Sequence, residues 1–68
     1  MIIHGKRILV VDDEAPIRRF LSTALKAHGH EVVEAMNGGE GISMSATQRP
    51  DLIILDLALP DMSGAQVL

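Results

Sequence analysis

The apolar residues of this chain fall into short runs separated by longer amphipathic stretches. The first run, Ile8-Leu9-Val10-Val11, continues from Lys6-Arg7 and stops abruptly at Asp12-Asp13-Glu14. Consecutive apolar residues without alternation suit a strand buried on both faces, the habit of a parallel sheet covered by helices. Beyond the acids, Ile17, Phe20, Leu21, Ala24 and Leu25 follow helical spacing and form one apolar stripe, with Arg18, Arg19, Ser22 and Lys26 off it. Pro16 suits the first turn of such a helix, and Gly29 suits its end.

Glu31 to Ala35 predicts a short strand whose charged flanks fit a sheet edge. Asn37-Gly38 is a turn signal. Gly39 to Gln48 predicts a second helix, poor in propensity and dependent on packing against a sheet, with Ile42 and Ala46 sharing a face. Arg49-Pro50 ends it, because the residue before proline is pushed out of the helical region. Asp51 to Leu57 is the third and most apolar strand. A turn over Leu59 to Gly64 follows, then Ala65 to Leu68 as the first turn of a third helix.

Alternation of strand and helix at this spacing predicts parallel strands joined by right-handed crossovers. The fold class is α/β, a doubly wound sheet. Such a sheet binds its ligand at the carboxyl ends of strands, where the strand order reverses. Asp12 and Asp13 end the first strand and Asp56 the third. If the second strand pairs on the far side of the first, the three carboxylates converge.

Converging carboxylates repel unless a cation neutralises them. A hard divalent ion such as Mg2+ takes oxygen ligands, often one or two carboxylates plus phosphate oxygens. An aspartate there can act as nucleophile toward a phosphoryl group. Asp56, placed singly between Leu55 and Leu57, is the best candidate, and a backbone carbonyl just after it could add a ligand. An adjacent acid pair alone is commonly no more than solvated; its combination with an acid after a second strand is what makes the pattern specific.

Composition narrows the picture. A chain of 68 residues is one domain at most, and burial of roughly 60% of the unfolded surface leaves such a chain marginal. It has no cysteine, so neither a disulfide nor a thiolate metal site forms within it. Its net charge of −3 and single aromatic residue, Phe20, argue against nucleic acid as a direct partner. No apolar run approaches the roughly 20 residues of a membrane span, and the N-terminus is not a signal peptide. A cytoplasmic location and no membrane partner are therefore expected. His28 and His30 flank the helix stop as a solvated cap, His4 lies near the N-terminus, and Asp51 and Asp61 read as turn residues.

The segments VVDDE, PIRRFLSTAL and PDLIILDLALPDMSG resemble the receiver domain of two-component response regulators, over residues 6–68. APIRRFLSTAL with RPDLIILDLALPD is most similar to winged-helix regulators of potassium-transport (Kdp) operons. The resemblance implies a flavodoxin-like sheet, here its first three strands in order 2-1-3, with two helices and the start of a third. It implies Asp56 as phosphoacceptor, and Asp12, Asp13, Asp56 and the backbone carbonyl of Ala58 as the Mg2+ site. Asp13 would bind directly and Asp12 mostly through water.

A sensor histidine kinase would be the phosphoryl donor. Transcription would be controlled through an attached DNA-binding domain, which these residues do not include. The receiver would assist its own phosphorylation and dephosphorylation without being a conventional enzyme. In the family a hydroxyl residue after a fourth strand and a lysine after a fifth complete the site. Without them, these residues are expected to bind metal weakly and to be phosphorylated slowly or not at all.

The third strand, exposed as an edge, is expected to pair two copies into a homodimer. Two other functions compete. An aspartyl-phosphate phosphohydrolase also places acids after parallel strands, but with its second aspartate two residues beyond the nucleophile, where Glu14 follows Asp12 here. The other is a non-catalytic pairing module.

Overall fold

In the computed structural model, which describes residues 5–56, the five elements follow in the expected order. β1 is Arg7–Val11, α1 Ala15–Ala27, β2 Glu31–Ala35, α2 Gly38–Gln48 and β3 Leu52–Leu55. The strands form a parallel sheet in the order β2-β1-β3. Val11 pairs with Ala35 on one side and Leu55 on the other, so β1 and β3 end level. Leu57, the turn after Leu59, the start of a third helix, His4, Ala58 and Asp61 lie outside the described residues.

β1 is the central strand, and its Ile8, Leu9, Val10 and Val11 are all buried. That is why its run does not alternate: each face is covered. Leu9, Val11 and Ala35 form the core of one face, packed by Val33, Leu55 and Met44 of α2. On the other face the Arg18 side chain of α1 reaches Glu34 of β2.

Both helices are turned from the faces their periodicity suggests. In α1 the stripe is only half used: Leu21, Ala24 and Leu25 are half-buried, while Ile17 is 44% and Phe20 72% exposed. Ser22, off the stripe, is buried at 3%. A small residue there lets the helix lie close to the sheet, and the Arg18–Glu34 pair draws that side inward. The Ser22 hydroxyl finds no partner among the described residues. A buried, unpaired polar group costs about 1–3 kcal/mol, and alanine is also the better helix former. Ser22→Ala is therefore expected to stabilise the fold by about 1 kcal/mol, measured by denaturant melting; a loss of stability would show that the hydroxyl is satisfied.

In α2, Gly38 and Gly41 are buried and Met44 joins the core, while Ile42 and Ala46 are exposed. The expected Ile42–Ala46 packing face is thus corrected. A Cβ on Gly41 would stand 3.1 Å from both γ carbons of Val11. The missing side chain lets this helix settle onto β1, and packing compensates its low propensity.

The helix ends follow local chemistry. Asn37 is the N-cap of α2: its side chain accepts from the Glu40 N–H at 2.8 Å, and Glu40 accepts from the Met36 N–H at 3.2 Å. This resembles a capping box, with the return bond shifted by one residue. Arg49 closes α2 in the left-handed region at φ 48°. At the end of α1, Gly29 has φ 87°, its N–H bonds the Lys26 carbonyl and the His30 N–H bonds that of Leu25. This is a Schellman stop.

Candidate metal centre

Strand register assembles the site. The Asp12 N–H donates to the Ala35 carbonyl and the Asp56 N–H to the Val11 carbonyl, each at 3.0 Å. These bonds extend the two ladders one residue past the strands. Asp12 and Asp56 are thereby held side by side where the strands end. Asp12, Asp13 and Asp56 can each offer a carboxylate oxygen within 4.8 Å of the others. Asp12 and Asp56 are half-buried, and Asp13 is exposed.

The loop after β1 is tightly organised. Asp12 accepts the Glu14 N–H on Oδ1 at 2.8 Å, an Asx-type turn that leads the chain into α1. Its backbone carbonyl accepts from Nη1 of Arg18 at 2.8 Å. Arg18 also donates from Nε to Glu34 at 3.0 Å, with side-chain exposures of 13% and 34%. Arg18, which lies off the apolar stripe, is nonetheless a partly buried anchor of the acidic loop.

Alternation along β2 held the missing signal. Glu34 lies two residues from Val32, on the covered side of the strand, where an acid needs a cationic partner. Arg18 stands one turn into the preceding helix.

The donor set is all oxygen and anionic. It fits a hard cation such as Mg2+ and lacks the imidazole or thiolate ligands that softer ions favour. Asp12, Asp13 and Asp56 would hold such an ion, whose charge would offset their mutual repulsion and that of an incoming phosphoryl group.

At the opposite end of the sheet, side-chain contacts tie the strands and helix ends together. The Arg7 N–H donates to the Asp51 carboxylate at 2.8 Å, and its guanidinium reaches the Gln48 carbonyl and Glu31. His28 Nδ1 lies 2.8 Å from the Ala24 carbonyl, as a cap residue would. Among the described residues no helix is long and apolar enough to cross a membrane.

Residues 8–68 match the model of the response regulator receiver domain family. The KDP operon transcriptional regulatory protein KdpE of Escherichia coli is 52% identical over 59 residues, which cover 87% of this chain and 26% of that protein. The chemotaxis response regulator CheY4 of Vibrio cholerae superposes with a TM-score of 0.90 at 35% identity, over 93% of this chain and 52% of that one. The response regulator TrrA of Thermotoga maritima, solved in complex with Mg2+ and BeF, superposes with a TM-score of 0.87 at 45% identity, over 91% of this chain and 54% of that one. The chain thus spans about a quarter of that curated relative and about half of those solved chains.

Proposed function

Because this chain belongs to the response regulator receiver domain family, we propose that Asp56 is its phosphoacceptor, served by Mg2+ at Asp12 and Asp13, with a sensor histidine kinase as donor. The observation that carries this reading is the convergence of three carboxylates at the level ends of β1 and β3. TrrA, a relative in fold and sequence, was solved with Mg2+ and BeF, which supports the same chemistry here. The backbone carbonyl of Ala58 is proposed as a further ligand. Residues 6–68 would form the N-terminal part of the receiver, and output through an attached DNA-binding domain would follow the pattern of transcriptional regulators such as KdpE.

In the proposed transfer a carboxylate oxygen of Asp56 attacks phosphorus. A new O–P bond forms as the P–N bond of phosphohistidine breaks, and the imidazole leaves with the electron pair and takes up a proton. With acetyl phosphate the P–O bond breaks and acetate leaves. Bound Mg2+ would supply charge neutralisation for the phosphoryl oxygens. The chain's own part is to hold Asp56 at the strand end through its N–H bond to Val11 and to fix the Asp12–Asp13 loop beside it.

Incubation with acetyl phosphate over hours, followed by intact mass, tests the reading. A slow gain of one phosphoryl group that requires Mg2+ is expected. No gain in a folded chain would favour the non-catalytic pairing module.

A further inference from the structure

We infer that Arg18, held in place by Glu34, is a positioning residue for the acidic loop: it fixes the peptide that joins Asp12 to Asp13 and so sets where the Asp13 carboxylate points. Its effect on a bound cation rests on the metal reading above, whereas its effect on the loop does not.

Asp12 is anchored three ways. Its N–H is held by Ala35, its Oδ1 by the Glu14 N–H and its carbonyl by Arg18. The Asx turn spans the peptide on the Asp13 side, and the third bond holds the oxygen of that peptide directly. That unit is planar, so fixing its oxygen also fixes the direction of the Asp13 N–H. Asp13 is exposed, and the held peptide behind it restrains its direction together with the Asx turn that brackets it.

Glu34 explains why a cation can sit this close without competing for the site. A guanidinium bonded to the Asp12 carbonyl and lacking an acid of its own would be drawn to a carboxylate of the cluster. Glu34 takes Nε at 3.0 Å, and Nη1 is left for a neutral carbonyl. The pair therefore brings no net charge to the cluster while supplying a rigid, planar strut. Lysine keeps the charge but lacks that fork and cannot bridge both acceptors in the same way.

The full chain is compared with R18A, R18K, E34Q and, as a control on the neighbouring exposed arginine, R19A. Two quantities are read by NMR: amide exchange of Glu14, whose N–H the loop holds, without metal and relative to Val10, and the Mg2+ dissociation constant. Outer-shell partners of a metal site are typically worth 10–100-fold in affinity. R18A is expected to speed Glu14 exchange relative to Val10 and to weaken Mg2+ binding about 10-fold. R18K and E34Q should fall between, and R19A should match the parent chain.

Uniform acceleration at Val10 and Glu14 together would mean a merely structural role and would overturn the inference. So would R18A at parent values, or, if R18A does not fold, R18K and E34Q at parent values. A folded parent chain that binds no Mg2+, with R18A still speeding Glu14 exchange selectively, would defeat the metal reading and leave the positioning role standing.

Discussion

Asp56→Asn is expected to abolish the Mg2+-dependent gain of one phosphoryl group from acetyl phosphate, while Asp51→Asn leaves it intact. The carboxamide matches the carboxylate in size, so the fold should persist; the anionic oxygen nucleophile is lost, which makes the effect all or none. Asp56 is half-buried at the end of β3, with its N–H held by Val11. Asp51 lies at the opposite end of the same strand, where its carboxylate accepts from the Arg7 N–H. The two substitutions therefore separate the site from acidity in general. Phosphorylation persisting at parent rate in Asp56→Asn would remove Asp56 from the role.

Leu9→Ala is expected to be the most damaging of the simple core truncations. Leu9 is completely buried at the centre of the sheet, in the cluster with Val11, Ala35 and Met44. Truncating such a leucine costs about 2–5 kcal/mol, part lost transfer energy and part cavity. A domain of this length holds only about 3–10 kcal/mol in total at typical values per residue. The substitution should therefore consume much of the stability and lower the melting temperature by roughly 10 °C or more. Leu52→Ala on β3, where the side chain is 47% exposed, should cost less than about 1.5 kcal/mol because little apolar area leaves water there. Denaturant melts that placed the two variants together would contradict the central position of β1.

The helix faces show where pattern alone stops. Periodicity in α1 selects Ile17, Phe20, Leu21, Ala24 and Leu25, yet the sheet receives Ser22 and Arg18 and leaves Phe20 exposed. An amphipathic stripe states which side is apolar. It does not state how close the helix must come to its neighbour or which buried charge on that neighbour needs a partner. In α2 the close approach at Gly41 decides the rotation, and that follows from the Val11 side chain on another element. The Asn37 N-cap is missed when Asn37-Gly38 is read only as a turn, although Asn-x-x-Glu before a helix is a local signature.

What the sequence determined by itself is the order of elements, their parallel α/β arrangement, the helix stop at Gly29 and which three carboxylates converge once the first and third strands are neighbours. Each depends on local spacing or on the rule that ligands gather at strand ends. Only the tertiary structure decided that β1 and β3 end level, that Arg18 grips the Asp12 carbonyl, and that Glu34 pairs with that same arginine. Those depend on register and on packing between distant segments, where a shift of one residue turns a side chain to the other face of the sheet.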